Sequence, residues 1–367
     1  MNAPTSLSEW LLYWRIDLQL LIALCCCAAL GLFVLYSASG QSEALVTNQA
    51  IRLGLGLLGM LVIAQIPPEW FRVAAPWVFA AGIVLLGLVV LLGDAAMGAQ
   101  RWLDLGVVRF QPSEIMKLAV PLTVAAYFRD RALPPRWRDL GITTLLVAVP
   151  VILIADQPDL GTALLIAAGG FFALYFAGLC WRVILMLGLM AAAAAPLLWF
   201  NMHDYQQERV LTFLNPARDP TGAGYHITQS KIAIGSGGLF GKGWLNGSQA
   251  HLNFLPESDT DFVFSVYAEE TGLFGVISLL ALYCFVVARG LFIAMKSQDT
   301  FQRLAAGSLS LTFFLYVFVN IGMVVGLLPV VGVPLPLISY GGTSMVILLT
   351  SFGILMSIHT HRKLLAT

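Results

Sequence analysis

Long apolar stretches constrain the fold of this chain more than any other feature of its sequence. A hydrocarbon core about 30 Å thick is crossed by roughly 20 consecutive apolar residues. Windows of about this length predict ten spans, at residues 18–38, 51–66, 73–93, 115–128, 141–155, 160–179, 182–200, 262–288, 304–328 and 343–358. The predicted fold class is an all-α integral membrane protein, a polytopic bundle of about ten transmembrane helices.

The composition also indicates a chain that lies mostly in lipid. Hydrophobic residues make up 59% of the 367 residues and charged residues only 11%, whereas soluble domains carry about 25% charged residues. Twenty basic and twenty acidic side chains give a formal net charge of zero, without a block of like charge. A nucleic-acid partner is therefore not expected.

The distribution of Lys and Arg predicts the orientation of the spans, because short loops rich in these residues stay in the cytoplasm. With ten alternating spans, most of the basic residues fall on the side that carries both termini. Two segments on the other, extracytoplasmic side, 94–114 and 201–261, are too long and too polar to be simple connections. The second mixes aromatic residues with many glycines, which favours an ordered, partly membrane-embedded structure. One membrane domain is expected to cover residues 1–367.

Ionisable residues near a span are costly in lipid and are usually functional. On the outward side they include Arg101, Glu114, Lys117, Asp159, Arg209, Lys231, Lys242 and Asp261. Some of them also have a structural interpretation. Glu114 and Lys117 are spaced i, i+3 and could form an ion pair, and Asp159 could begin a helix after Pro158. The five histidines have no metal-binding spacing, and no nucleotide-binding motif is present.

Asp261 lies where a polar segment enters an apolar span. Thr260 or Asp261 could cap the helix that begins there. A carboxylate at that boundary is also partly desolvated, which raises its pKa and suits it to accept a proton near neutral pH. The residues alone leave both interpretations open.

Residues 326–344 carry the most specific resemblance to a known family. Their sequence, from Gly326 through Ser339-Tyr340-Gly341-Gly342 to Ser344, resembles the carboxy-terminal signature of the SEDS family (shape, elongation, division and sporulation). Shorter stretches support the resemblance, at 101–102, 110–117, 157–162, 209–220, 229–230, 235–243 and 255–262. The short termini look more like the elongation type, RodA, than the division type, FtsW.

The resemblance implies a glycosyltransferase that polymerises lipid II into glycan strands during cell elongation and rod-shape maintenance. Lipid II is a disaccharide-pentapeptide on undecaprenyl pyrophosphate, and polymerisation is implied at the outer face of the cytoplasmic membrane. Asp261 is the implied catalytic base. The resemblance places Glu114, Lys117 and Asp159 in a central polar cavity, and further substrate-binding or cavity positions are expected at Arg101, Trp102, Arg209, Lys231, Lys242, Ser339 and Tyr340.

Cofactors and partners follow from the same resemblance. The negative charge on the leaving pyrophosphate needs cations that stabilise it. These could be Lys117, Arg101, Arg209, Lys231 and Lys242 or a divalent ion such as Mg²⁺ or Mn²⁺, and whether a metal is required stays open. The implied partner is a class B penicillin-binding protein, a transpeptidase, together with other elongation-complex proteins and membrane lipid.

Two other functions remain open. A flippase for lipid II would suit spans broken at Pro158 and Pro196. It needs a polar path to the cytoplasmic face, however, whereas the ionisable groups of this chain cluster outward. A non-catalytic scaffold for wall synthases is the second alternative, and in that case Asp261 would be dispensable.

Overall fold

The computed structural model describes residues 15–92, 94–96, 99–104, 109–202, 204–220, 222–248 and 257–361. The described residues form twelve α-helices. They are α1 (Leu18–Ala38), α2 (Glu43–Gln65), α3 (Pro68–Leu92), α4 (Pro112–Phe128), α5 (Trp137–Asp156), α6 (Leu160–Phe176), α7 (Trp181–Asn201), α8 (Asp204–Leu214), α9 (Ala223–Ser236), α10 (Val263–Lys296), α11 (Thr300–Val324) and α12 (Thr343–Thr360).

All of these helices except α8 and α9 lie at the ten positions predicted to span the membrane. Seven of them, α1, α2, α3, α5, α10, α11 and α12, are long and apolar enough to cross a membrane. The helices α4 and α6 have only 17 residues each, whereas α7 has 21. The ten predicted spans are therefore matched by ten helices, two of which are short for a span.

The observed helix boundaries differ from the predicted spans where a helix begins before the apolar window or ends before that window does. Helix α2 begins at Glu43, well before residue 51, because the side chain of Ser42 accepts a hydrogen bond from the backbone nitrogen of Leu45 and caps the helix. Helix α11 ends at Val324 rather than at 328. Gly326 follows with a φ of 74°, a left-handed backbone that ends helices. Residues 325–342 are apolar but not helical.

Helix α11 lies at the centre of the bundle. Of its most apolar window 72% is buried, against 22% for the windows of α2, α3 and α5. It packs against α10, α6 and α4. The less buried helices leave one face for lipid, as expected for the outer helices of a membrane bundle.

The two segments predicted to be extracytoplasmic loops are ordered over their described residues. Within 94–114, the short strands β1 (Asp94–Ala96), β2 (Ala99–Asp104) and β3 (Arg109–Phe110) pair in an antiparallel arrangement in that order. Within 201–261, α8, a 3₁₀ turn (Pro216–Arg218) and α9 precede a stretch at 237–248 that returns to the bundle. That a single domain covers the whole chain stays a prediction.

Trp244 shows how the 237–248 stretch returns. Its indole stacks on Phe33 of α1 with ring centroids 4.4 Å apart. Its Nε1 donates a hydrogen bond to the carbonyl oxygen of Phe33 at 3.3 Å. The described part of the large loop is therefore ordered and packs against α1, whereas its partial embedding in the membrane stays a prediction.

Helix α10 consists of two helical parts joined at Gly272. This glycine has φ 66° and ψ −164°, a conformation that is essentially restricted to glycine. The backbone nitrogens of Lys242 and Gly243 donate to the carbonyls of Glu269 and Glu270, at 3.0 Å each. The break thus lets backbone N–H groups of the 237–248 stretch pair with carbonyl groups at the end of the first helical part. This first part is the one that follows the turn of Asp261.

The break yields a prediction for stability. A Cβ at Gly272 would lie 2.3 Å from the backbone nitrogen of Gly241, so Gly272→Ala should lower the free energy of unfolding by about 1–3 kcal/mol. The Tm of the purified protein in detergent measures this. Gly59→Ala in α2 is the matched control, because nothing lies within 4 Å of a Cβ there. Equal Tm values for both variants would contradict the proposed strain.

Candidate active site

A cavity of about 310 Å³ lies where the non-helical segment before α12 and the first residues of α12 meet α4, α6 and α11. Its volume is at the lower end of the range of small-molecule sites, about 300–1,000 Å³. Six of the residues predicted for the site line it: Trp102, Glu114, Lys117, Asp159, Asp261 and Tyr340. The packing of the helices and the signature segment (residues 326–344) thus bring residues that are distant in sequence into one cavity.

Glu114 and Lys117 form the ion pair that their spacing on α4 predicts. The Lys117 Nζ lies 2.6 Å from Glu114 Oε1, and both side chains are buried. The second carboxylate oxygen of Glu114, Oε2, is buried without a partner among the described residues. Lys117 also lies over the ring of Tyr316, 5.3 Å from its centroid. The pair is a structural contact and part of the cavity wall at the same time.

Asp159 begins α6, as its position after Pro158 predicts. Its Oδ1 accepts a hydrogen bond from the backbone nitrogen of Thr162 at 3.3 Å. Its Oδ2 accepts from the side-chain nitrogen of Gln111 at 2.9 Å. Asp159 thus caps α6 and joins it to the start of α4, while its carboxylate also lines the cavity.

Asp261 lies in a turn at 257–262, immediately before α10. The N-cap position of α10 is Phe262, and no side chain caps the helix, so Thr260 and Asp261 do not have the capping role that was left open. Asp261 is half-buried, and this burial raises the pKa of its carboxyl to about 6. The Glu257 carboxylate raises the pKa further, and the Arg209 guanidinium lowers it. A carboxylate with such a pKa suits a general base near neutral pH.

Asn320 of α11 forms hydrogen bonds to two backbone segments that line the cavity. Its side-chain nitrogen donates to the carbonyl oxygen of Asp261 at 3.1 Å and to that of Val333 at 2.7 Å. Asn320 is fully buried in the described structure. A single amide in the middle of an apolar helix therefore ties the turn of Asp261 to the signature segment.

Ser339 and Tyr340 make the second connection. The Ser339 hydroxyl donates to the carbonyl of Thr260 at 2.5 Å, and the backbone nitrogen of Tyr340 donates to the carbonyl of Asp259 at 2.8 Å. Ser339 is buried behind the cavity wall, whereas Tyr340 lines the cavity. The signature segment thus holds the turn that carries Asp261.

Several predicted cations lie elsewhere. Lys242 pairs with the buried Glu269 at 2.6 Å, outside the cavity lining. Lys231 is exposed and packs against Gly326. Arg209 does not line the cavity but acts electrostatically on Asp261. The side chain of Arg101 lies outside the described residues.

The cavity also contains polar residues that the sequence analysis did not predict for the site. They are Gln111, Thr162, Thr260, Tyr316, Thr343 and Ser344. Most of them lie within the stretches that carry the family resemblance, so that signal could have found them. Tyr316 has no such signal, because it lies in the middle of an apolar span.

No group of three or more His, Cys, Asp or Glu side chains that could hold a metal ion occurs among the described residues. Glu114, Asp159 and Asp261 all line the cavity, but two of these carboxylates already have hydrogen-bonding or ionic partners. The described side chains thus do not form a protein-only metal site, and no step of the chemistry below depends on one.

Comparison with known proteins identifies close relatives. The profile of the family FtsW, RodA and SpoVE, described as cell cycle proteins, matches residues 17–364. The peptidoglycan glycosyltransferase MrdB of Escherichia coli K12 is 53% identical over 353 residues, which cover 96% of this chain and 95% of that protein.

Two solved structures share the fold. One is a chain of a peptidoglycan synthase complex, from work on the structural coordination of polymerization and crosslinking. It has a TM-score of 0.81 and 34% identity, covering 94% of this chain and 97% of that chain. The other is the rod shape determining protein RodA of Thermus thermophilus, with a TM-score of 0.72 and 32% identity, covering 95% of this chain and 98% of that chain.

The buried ion pair yields a second prediction for stability. Lys117→Met leaves the Glu114 carboxylate buried without its partner, which should reduce the free energy of unfolding by about 3–5 kcal/mol. The double variant Glu114→Gln with Lys117→Met should recover most of this loss, because no unpaired charge remains. A double-mutant cycle on Tm measures the coupling. If the two single-variant losses simply add, the pair is not coupled as the geometry indicates.

Proposed function

Because the chain belongs to the FtsW, RodA and SpoVE family and is a peptidoglycan glycosyltransferase of the RodA type, we propose that it polymerises lipid II during cell elongation. The donor and acceptor are sugars carried on undecaprenyl pyrophosphate. The observation that carries this proposal is a half-buried carboxylate, Asp261, in the wall of a cavity that also contains a buried lysine and several hydroxyl groups. A sugar-binding site needs such hydroxyl and carboxylate partners.

The proposed reaction is a displacement at the anomeric carbon of the donor. The 4-hydroxyl oxygen of the acceptor forms the new bond to that carbon, and its proton passes to Asp261. The bond from the carbon to the pyrophosphate oxygen breaks, and the electron pair leaves with the undecaprenyl pyrophosphate. Attack from the opposite face inverts the configuration. Positive charge near the leaving group stabilises the developing negative charge.

Residues in and behind the cavity wall have positioning roles in this proposal. Asn320 and Ser339, through their side chains, and Tyr340, through its backbone nitrogen, donate hydrogen bonds to backbone carbonyls of the turn that carries Asp261. Glu114 limits the freedom of the Lys117 ammonium through their ion pair. Lys117 is the cation that lines the described cavity directly. The roles of Arg101, Arg209, Lys231 and Lys242 stay proposals.

The chain is a multi-pass protein of the inner membrane, and we propose the orientation that its basic residues predict. Both termini would then lie in the cytoplasm, and the cavity would open to the extracytoplasmic side. The proposed partner is a class B penicillin-binding protein, supported by the similarity to a synthase complex that couples polymerization with crosslinking. A cysteine placed at Arg218 should react with a membrane-impermeant thiol reagent in intact spheroplasts. If this cysteine reacts only after the spheroplasts are lysed, the orientation is the opposite of the proposed one.

The role of Asp261 can be tested with labelled lipid II and the purified chain together with its class B partner. Moenomycin is added to silence contaminating glycosyltransferases. Asp261→Asn should reduce polymerisation about 10²- to 10⁴-fold, the usual contribution of a general base. Asp259→Asn is the matched control, because its carboxylate is in the same turn but does not line the cavity.

Each outcome of this experiment decides between functions. Polymer from the wild type and the Asp259 variant, but not from a folded Asp261 variant, supports the catalytic base. Equal polymer from all three removes Asp261 from that role. No polymer from the wild type would favour the flippase or the scaffold over the polymerase.

The raised pKa of Asp261 predicts the pH dependence of the reaction. A general base works in its deprotonated form, so kcat/KM should be constant well above pH 6 and fall as the pH drops through about 6, the pKa of Asp261. Initial rates of lipid II polymerisation between pH 4.5 and 8.5, with Tm recorded at each pH, measure this. A profile without an inflection in that range would contradict Asp261 as the titrating base.

A further inference from the structure

Arg52 is a charged residue on α2, at the start of the apolar window 51–66 that predicts a span. It lies nine positions after the start of α2 at Glu43, which is roughly 13 Å along the helix axis at about 1.5 Å per residue. The neighbouring side chains Ile51 and Leu55 are exposed apolar groups, with 56% and 65% exposure, as expected of a lipid-facing surface. An arginine within an apolar span is costly unless it has a partner, and such residues are usually functional.

The Arg52 side chain reaches the rim of the central cavity. Its Cζ atom lies over the ring of Tyr340, 4.8 Å from the centroid. The same Cζ and a guanidinium nitrogen are each 4.0 Å from the position that a Cβ of Gly342 would occupy. Tyr340 and Gly342 both line the cavity. The guanidinium thus lies at the α2 side of the site, and the aromatic face supports it by a cation–π contact.

No carboxylate oxygen that the structure describes lies within 4.0 Å of the guanidinium nitrogens of Arg52, and the guanidinium forms no hydrogen bond to a described residue. A guanidinium has five N–H donors in a fixed planar arrangement. In contrast, Lys117, the cation in the cavity lining, is already paired with Glu114. Among the described residues around the cavity, Arg52 is therefore a cation with donors available for an anionic ligand.

Gln49, one turn before Arg52, fixes α2 to the signature segment. Its side-chain nitrogen donates to the carbonyl of Ser339 at 3.1 Å, and its side-chain oxygen accepts from the backbone nitrogen of Gly341 at 3.4 Å. Gln49 is buried. This contact holds Arg52 beside the segment that carries Tyr340, so the guanidinium is positioned before any substrate arrives.

The start of α12 adds to the positive potential at this place. Gly342 is its N-cap residue and provides no side-chain cap, and Thr343 and Ser344 follow in the cavity lining. Free N–H groups at the start of a helix favour anions. The backbone groups and hydroxyls of α12 and the Arg52 guanidinium can therefore face the same ligand.

We propose that Arg52 binds the pyrophosphate of the polyprenyl-linked sugar and positions it in the cavity. The inference rests on the proposed function. A guanidinium binds phosphate oxygens through two parallel hydrogen bonds, which a lysine does not reproduce. Its place on a lipid-facing helix beside a polar cavity matches a ligand whose isoprenoid tail stays in lipid while its pyrophosphate and sugar enter the site. Arg52 is thus a substrate-positioning residue rather than an acid or base.

Steady-state kinetics of lipid II polymerisation test this role in the full chain with its class B partner. Arg52→Gln should raise KM for lipid II about ten- to a hundredfold, the range for a lost hydrogen bond to a charged group, and Arg52→Lys should recover only part of it. The pH profile set by Asp261 should not move. The matched control is Arg218→Gln, an exposed arginine outside the cavity lining, which should keep the wild-type KM. Wild-type KM in a folded Arg52→Gln variant would overturn the proposal.

A binding experiment keeps the test independent of turnover. The chain in nanodiscs is titrated with fluorescent undecaprenyl pyrophosphate, and undecaprenol, inorganic pyrophosphate and phosphatidylglycerol serve as competitors. Arg52→Gln should weaken binding of the pyrophosphate lipid about ten- to a hundredfold, and of these competitors undecaprenol should not displace the probe. Equal binding by the wild type and the variant would overturn the proposal. Displacement of the probe by phosphatidylglycerol alone would also overturn it, because Arg52 would then bind a membrane phospholipid.

The two experiments also separate this inference from the proposed function. If the wild type makes no polymer but loses pyrophosphate-lipid binding on Arg52→Gln, the polymerase function fails while the binding role is supported. If the wild type makes polymer and the Arg52 variant behaves like it in both experiments, the binding role fails while the polymerase function stands.

Discussion

The structure depends on the requirement that backbone polar groups within a membrane find partners inside the protein. Residues 325–342 and the turn at 257–262 are not helical, so only some of their carbonyl and N–H groups pair within their own segments, as Phe262 does with Glu257 and Ser339 with Leu335. Other groups pair between the two segments, through Ser339 and Tyr340, and with Asn320 of the central helix. The same hydrogen bonds that make non-helical backbone tolerable there also fix the position of Asp261.

Charge in the cavity is stabilised by a comparable arrangement. Glu114 is paired with Lys117, and Asp159 accepts hydrogen bonds from Gln111 and from the start of α6. Asp261 keeps a half-buried carboxylate whose pKa is raised by burial. Two carboxylates are therefore held by partners, while the third remains suited to accept a proton. This difference in surroundings distinguishes the two partnered carboxylates from Asp261, the proposed catalytic base.

Much of the fold could be predicted because length and hydropathy report directly on spans, and the predicted positions coincide with ten helices. The end of α11 could not, because an apolar segment has the same hydropathy whether it is helical or irregular. The ion pair of Glu114 with Lys117 was predictable, since i, i+3 positions are neighbours on a helix. The pairing of Lys242 with Glu269 was not, because it joins residues that are 27 positions apart, on either side of the 249–256 segment.

The sequence by itself determined the membrane class, the approximate spans, the family and the identity of Asp261 as the residue of interest. These follow from hydropathy and from local motifs, which need no knowledge of packing. Only the tertiary structure decided which charges meet in the cavity. It placed Asp261 away from a capping role, it placed Lys231 and Lys242 outside the lining, and it brought Arg52 to Tyr340. Such placements depend on how the helices pack, which hydropathy and spacing do not specify.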